Sequence, residues 1–432
     1  MKRWSARDLA AEVLRRVRKD DAYATLALNA TLDDSRLPAE ERRLATELVY
    51  GVLRQRRRLD HALQRHVRRR LSATDPDTLD QLRLATYQLL VLDRVPAYAA
   101  VDHAVAAVRQ LRGQRVAGFV NAVLRRVDRD AEALPDEPVA RLAVECSLPD
   151  ELARYWSDRL GLDEARRLGR SLLDRAPLTA RVNTLRCDHA TLQSTLEREG
   201  ARVEAGRSVD TALQLTLVPA SPFELRSHRE GLWTAQDEAA QLVSLSVAPR
   251  PGETVLDACA GVGGKSMHLG ALMENRGRLV CVDSGRRKLD ILREHGRRLG
   301  VTICEVRAGD LRSPAVLEGL RTDRALVDAP CTGLGVLRRH PELKWRPGAG
   351  LSAMPELVRL QRELLSAAVD ALRPGGVLVY SVCTLTDEEG PEQRRWLLEQ
   401  RPELAAEDEG LRLWPHRSGT DGFFVARFRR ME

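Results

Sequence analysis

Two cysteines stand where a chain does chemistry. Cys331 lies in DAPCTGLG and Cys383 in VYSVCTLTDEE, each directly after an apolar, β-branched run that reads as a strand. A lone cysteine in such a place is usually packing. Two at matching strand ends, one of them three residues after Asp328, point to nucleophilic chemistry, in which the thiolate is the attacking species. The other five (Cys146, Cys187, Cys259, Cys281 and Cys304) form no CxxC pair. Neither a metal site nor a disulfide framework is therefore expected, and these five read as small buried hydrophobes.

A second constellation lies upstream. The strand-like run ETVLDACAG enters the loop GVGGK and then a helical pattern. Gly261, Gly263 and Gly264 allow a sharp turn and a backbone approach that a Cβ would block. Cys259, Ala260, Gly261, Val262, Gly263, Gly264 and Lys265 thus form a candidate cofactor cradle. Asp283, twenty positions after Gly263, ends the next strand and is placed for ribose hydroxyls. That much suits any nucleoside-containing cofactor and does not separate NAD from S-adenosylmethionine. Asp310 in RAGD and Asp328 in DAP end two further strands and line the same crevice. Asp310 could accept from an adenine amino group and Asp328 could face a cationic methyl donor or a substrate base, which favours S-adenosylmethionine.

The elements that must position these residues fall into distinct parts. The 432 residues suggest about two to four domains of roughly 100–200 residues each. Helical spacing runs through SARDLAAEVLRRVRKDD, ERRLATELVYGVLRQRRRLDHAL and GFVNAVLRRVDRD, with Ser5 as an N-cap, and predicts an all-α bundle. The acid- and proline-bearing DRDAEALPDEPVAR reads as a linker. Helices at LPDELARYWSDRLG and LDEARRLGRSLLD precede a small α+β piece with strands at LTARVNTLR and TALQLTLV. From about residue 236 the rhythm becomes βαβ alternation, which predicts a doubly wound parallel sheet of Rossmann type. The expected domains are residues 1–130, 131–175, 176–235 and 236–432.

The motifs DACAGVGGK, VDS, AGD, DAPCTGLGVLRRHPELKW and YSVCTL, ending in DGFFVARF, together resemble the RNA 5-methylcytosine methyltransferases of the Nop2/Sun (Fmu) family. LRRHPELKW and the helical front half are similar to the family's bacterial branch acting on small-subunit (16S) ribosomal RNA, which carries a NusB-like RNA-binding domain ahead of its catalytic domain. TARVNTLR resembles the family's entry into its catalytic region. The likeness covers essentially the whole chain. Two positions depart from the usual pattern: Val262 stands where the glycine loop commonly has proline, and Val382 where threonine commonly precedes the second cysteine. Neither removes a reactive group.

The resemblance implies a reaction. Carbon 5 of cytosine is too weak a nucleophile to take a methyl group unaided. A thiolate added at carbon 6 makes the ring enamine-like, an acid near nitrogen 3 stabilises the developing charge, and loss of the carbon-5 proton then expels the thiol. By resemblance Cys383 is the nucleophile, Asp328 the nitrogen-3 partner, and Cys331 assists proton removal and release. A rival reading remains, because Pro330-Cys331 is similar to the nucleophile motif of the DNA cytosine methyltransferases.

Charge agrees with a nucleic-acid partner. The chain carries a net charge of +7, and 64 of its 69 basic residues are arginines. Residues 54–70 hold eight arginines against one aspartate, a density suited to phosphate contacts. Arg181, Arg338, Arg339, His340, Lys344 and Trp345 are further candidate RNA contacts, expected to hold an exposed base and its phosphates. No apolar run approaches the ~18–20 residues of a membrane helix and no secretory leader is visible. A cytoplasmic monomer acting on 16S ribosomal RNA, naked or in a partly assembled subunit, is expected. The alternatives are the same chemistry on transfer RNA and a non-catalytic NusB-like RNA-binding factor.

Overall fold

Ser5 begins the first helix through a reciprocal cap, its hydroxyl accepting from Asp8 N at 3.2 Å while Asp8 Oδ2 accepts from Ser5 N at 3.3 Å. The helix that follows, α1 (Ala6–Lys19), buries Leu9, Val13, Leu14 and Val17, the stripe that helical spacing demands. In this computed structural model, residues 4–127, 133–218 and 221–432 are described. Two units emerge, Met1–Arg175 with Leu337–Leu351, and Ala176–Val336 with Ser352–Glu432.

The first unit continues with α2 (Ala24–Asp33), α3 (Ala39–Gln64), α4 (Pro76–Val91), α5 (Ala97–Arg112) and α6 (Gln114–Leu124). Then come α7 (Pro138–Glu145), α8 (Asp150–Leu160) and α9 (Leu162–Ser171). Among its described residues there is no strand. Residues 128–132 of the expected linker lie outside the described residues. The linker's far end is helical: Glu137 caps α7 by accepting from Val139 N at 2.9 Å.

One feature departs from the expected layout. Residues 337–351, read as part of a continuous catalytic stretch 236–432, pack with the helical unit instead. Glu342 is buried and its Oε1 accepts from Ala24 N at 3.1 Å. Lys344 Nζ donates to Arg54 O at 2.9 Å and Ser147 O at 2.8 Å, and Trp345 Nε1 donates to Leu53 O at 2.7 Å. These bonds satisfy main-chain and side-chain groups that burial would otherwise leave unpaired.

The second unit opens with β1 (Leu178–Val182), α10 (His189–Arg198), β2 (Arg202–Ala205), β3 (Ala212–Leu217), the short α11 (Arg226–Arg229) and β4 (Trp233–Ala235). Its strands form an antiparallel sheet ordered β2-β3-β1-β4. Next come α12 (Glu238–Val247), β5 (Thr254–Asp257), α13 (Gly264–Leu272), β6 (Arg278–Asp283), α14 (Arg286–Leu299), β7 (Cys304–Ala308), α15 (Pro314–Leu317) and β8 (Thr322–Asp328). After residue 351 follow α16 (Met354–Ala371), β9 (Leu372–Val382), α17 (Pro391–Gln400), β10 (Leu404–Ala406), β11 (Leu411–Leu413), α18 (Pro415–Ser418) and β12 (Phe423–Arg430).

The larger sheet runs β10-β12-β9-β8-β5-β6-β7, with β11 also on β12. Strands β9, β8, β5, β6 and β7 are parallel, as expected. The β12 edge is antiparallel, which the βαβ rhythm did not foresee because FFVARFRR follows no crossover helix of ordinary length. Neighbouring strand residues face opposite ways. Leu256 packs with Leu365 and Ala368 of α16, while Val255 packs with Val243 of α12 and Met267 of α13. Helices therefore cover both faces, and the strand order reverses between β5 and β8, where such sheets hold ligands beyond the strands' carboxyl ends.

Candidate active site

At that reversal the loop after β5 meets the loops after β8 and β9. Gly261 and Gly263 have φ of 55° and 88°, the left-handed region that disfavours a side chain. Their reasons differ. A Cβ on Gly263 would sit 2.7 Å from the Leu292 side chain, so this glycine serves the approach of α14, whereas Gly264 faces open space. Val262 is 42% exposed and its carbonyl accepts from His295 Nδ1 at 2.9 Å, which anchors the loop.

Asp283, at the end of β6, holds the same loop. Its Oδ2 accepts from Gly261 N at 3.0 Å and its Oδ1 from Gly285 N at 2.7 Å. Cys259 and Ala260 line the turn, and burial pushes the Cys259 thiol up. Asp257, which ends β5 and which the sequence reading passed over, is buried. Its Oδ2 accepts from Ser266 Oγ at 2.7 Å, and its Oδ1 has no partner among the described residues. Burial, with Asp328 adding to it, pushes its carboxyl up to about 6. The signal was available: an acid at the carboxyl end of the first parallel strand, the rule that found Asp283.

A cationic nucleoside cofactor fits this set. The unpaired Asp257 oxygen is an acceptor for positive charge, the Gly264 side of the cradle is open, and Asp283 lies at the next strand end. Asp310 is exposed and already forked by Arg312, whose Nη2 lies 2.6 Å from Oδ2, and this holds the carboxyl near 2. An adenine amino group would have to share that carboxylate with the guanidinium.

Asp328 and Ser381 are register partners on β8 and β9. Ser381 Oγ donates to Asp328 Oδ1 at 2.7 Å and Lys265 Nζ to Oδ2 at 2.6 Å. Lys265 is thus committed to Asp328, above the Phe423 ring. Burial disfavours its ammonium, but Asp328 and then Cys383 outweigh this and raise its pKa. The sulfurs of Cys331 and Cys383 lie 3.3 Å apart. The hydrogen bond to Cys383, burial and Glu389 together raise the Cys331 thiol well above its ordinary value. All seven cysteines are free.

Of the six expected RNA contacts, Arg181, Arg338 and Lys344 are buried, whereas Arg339, His340 and Trp345 are half-buried. Arg181 is buried, and its Nη1 donates to Gly264 O at 2.8 Å, so it braces the start of α13. Arg338 and Lys344 are buried in the helical unit. His340 lies against Tyr23 with ring centroids 5.8 Å apart, and Arg339 is half-buried. The physical reason is that 337–351 is a packed plug. In the arginine run, Arg54, Arg56, Arg57 and Arg58 are half-buried, and Arg57 pairs with Asp150 at 2.7 Å, whereas Arg68, Arg69 and Arg70 are exposed.

A basic groove went unseen because its residues are scattered in sequence. Arg186, Arg229, Arg297 and Arg298 line it with Glu230. Glu230 pairs with Arg226 at 2.6 Å, while Arg298 donates to His228 O at 2.7 Å and Arg186 to Arg298 O at 3.2 Å. Among the described residues no carboxylate neutralises the four guanidiniums. Burial, and then Arg298, push His228 down to about 4.

Three stretches match family models. Residues 4–129 match the NusB family, residues 148–219 the ferredoxin-like domain of the RsmF/B-like methyltransferases, and residues 244–429 the model described as 16S rRNA methyltransferase RsmB/F. The chain is 34% identical over 455 residues to the probable ribosomal RNA small subunit methyltransferase B of Bacillus subtilis, covering 100% of both chains. It is 33% identical to the Synechocystis protein of the same description, covering 99% of each. Among solved structures, the crystal structure of PH0851 superposes with a TM-score of 0.84 at 27% identity, covering 99% of this chain and 100% of that one.

Proposed function

Because the chain belongs to the ribosomal RNA small subunit methyltransferase B family, we propose that it methylates carbon 5 of a cytosine in 16S ribosomal RNA, using S-adenosylmethionine. The observation that carries this reading is the pair of free thiols, sulfurs 3.3 Å apart, beside an aspartate held by Lys265 and Ser381. S-adenosylmethionine, when bound, supplies an electrophilic methyl carbon. Asp257, Asp283 and the loop 259–264 are the groups that would hold it.

The residues divide the work. Cys383 attacks carbon 6 as a thiolate, its proton having left to solvent, while the neighbouring Cys331 thiol keeps its own. As carbon 6 becomes tetrahedral, nitrogen 3 takes a proton, and the Lys265–Asp328 pair supplies it in this reading. Carbon 5 thereby gains the electron density needed to take the methyl group that bound S-adenosylmethionine would supply. Once Cys383 is a thioether it no longer raises the Cys331 thiol, so Cys331 loses its proton to solvent more easily and its thiolate can take the carbon-5 proton. Loss of that proton to Cys331 expels the Cys383 thiolate, and nitrogen 3 gives its own proton back to the Lys265–Asp328 pair. In this reading the attacker is Cys383 and Cys331 the base. Phosphate contacts fall to Arg229 and Arg297 of the basic groove and to Arg68, Arg69 and Arg70.

Nucleoside mass spectrometry on unmodified 16S ribosomal RNA, after incubation with enzyme and S-adenosylmethionine, tests the reading. 5-Methylcytosine is expected in ribosomal RNA and absent from a parallel transfer RNA reaction and from Cys383→Ala enzyme. Product on transfer RNA alone would replace the substrate, and product from Cys383→Ala enzyme would replace the nucleophile.

A further inference from the structure

Glu389 lies in the turn between β9 and α17, is fully buried, and has no part in the chemistry above. Its Oε1 accepts from Thr332 N at 2.9 Å and Gln361 Nε2 at 3.0 Å; its Oε2 accepts from Thr332 Oγ1 at 2.6 Å and Thr386 Oγ1 at 2.8 Å. Thr332 directly follows Cys331, and Thr386 stands three residues after Cys383. The Thr332 and Thr384 hydroxyls are 2.7 Å apart. Thr332 has one hydroxyl proton and gives it to Glu389, so Thr384, directly after Cys383, donates to Thr332. One carboxylate therefore gathers the residues that follow both cysteines.

Burying an acid is costly unless its oxygens are satisfied. No basic side chain pairs with Glu389 among the described residues, and four donors do that work. The same donors span the gap between the β8 and β9 loops, and Gln361 Nε2 also reaches Pro330 O at 2.9 Å, just before Cys331. An apolar residue could fill the space but could not tie the two loops. Its negative charge also disfavours a second negative charge on the adjacent Cys331 sulfur.

We propose that Glu389 is a positioning residue that fixes the spacing of the two sulfurs and, through its charge, favours the protonated form of the Cys331 thiol. The inference deepens the methyltransferase reading and rests on it, but one arm of its test needs no substrate. The full-length chain carrying Glu389→Gln, Thr332→Val or Thr332→Ser is compared with the parent. Iodoacetamide alkylation of Cys331 and Cys383 is followed against pH by peptide mass spectrometry, without RNA or cofactor. Methyl transfer to 16S ribosomal RNA is followed for kcat and KM separately.

In Glu389→Gln the alkylation midpoint of Cys331 moves to lower pH, and kcat falls about 10- to 100-fold with KM for RNA within about twofold. Thr332→Val shares the loss of kcat, and Thr332→Ser restores most of it. Parent-like alkylation profiles in Glu389→Gln overturn the proposal. So does a loss of activity that tracks the folded fraction with the Cys331 profile unmoved. A parent enzyme that methylates nothing would sink the methyltransferase reading, while the alkylation arm still decides whether Glu389 governs the thiol pair.

Discussion

The sulfur of Cys331 lies 3.3 Å from that of Cys383, although the residues are 52 positions apart and sit at the ends of adjacent parallel strands. At that separation a negative charge on one sulfur opposes a second on the other. Whichever sulfur forms the adduct releases its neighbour from that opposition. The pair is therefore suited to sequential use, one sulfur as nucleophile and the other as base.

This gives opposite phenotypes to two similar substitutions. Cys383→Ala should abolish the covalent enzyme–RNA complex seen on denaturing gels. Cys331→Ala should let that complex accumulate, with turnover lowered by about 10²–10⁴-fold, the usual reach of a general base. The reverse pattern would make Cys331 the attacker.

Asp257 sets a pH dependence for cofactor binding. Its carboxyl is pushed up to about 6, so it is neutral below that pH and negative above it. Affinity for the cationic cofactor should rise as pH increases through about 6, and Asp257→Asn should flatten the rise. Calorimetric titration at pH 5.5 and 7.5 is the check; equal slopes in both proteins would remove Asp257 from the cofactor's surroundings.

Arg181 should behave as a brace. Arg181→Met removes the bond to Gly264 O, a charged hydrogen bond in the class of about 1.5–3 kcal/mol. Cofactor affinity is expected to weaken about tenfold or more, while the salt dependence of RNA binding stays at the parent value. A changed salt slope would restore Arg181 as a phosphate contact.

The basic groove makes the complementary prediction. Arg229→Ala and Arg297→Ala should each reduce the slope of log affinity against log salt by about 0.7–0.9, one phosphate's worth of counterion release. Fluorescence anisotropy with a 16S ribosomal RNA fragment measures it, and unchanged slopes in both variants would clear the groove of RNA.

Lys344 couples the helical unit's stability to pH. Burial, then Arg54, pushes its ammonium down to about 7 from 10.5. Between those values the unfolded chain binds the proton and the folded chain does not, so stability should rise with pH across roughly 7 to 10. Lys344→Met should lose that part of the slope. Melting curves at several pH values test it, and parallel curves for the two proteins would refute it.

Much of this was legible from local pattern. Ser5 and the stripe after it specify α1, because cap and period lie within one segment. ETVLDACAG followed by GVGGK fixes strand, turn and helix for the same reason. Cys331, Cys383 and Asp328 were found because strand ends of a parallel sheet share one edge. Arg338 and Lys344 misled: a basic residue reads as exposed unless something covers it, and their cover is α3 and the α7–α8 turn, nearly 200 residues or more away in sequence.

The order of the three parts, the strands and helices of the catalytic sheet, and the residue types able to react can be read along the chain. Those properties follow from periodicity and side-chain chemistry over short spans. Only the tertiary structure decided that 337–351 plugs the helical unit, that Asp257 is left with a free oxygen, and that four scattered arginines share a groove. It also brought Glu389 beneath both cysteine loops. Each of these depends on burial and on distances between residues far apart in the chain, and neither quantity is written in a local pattern.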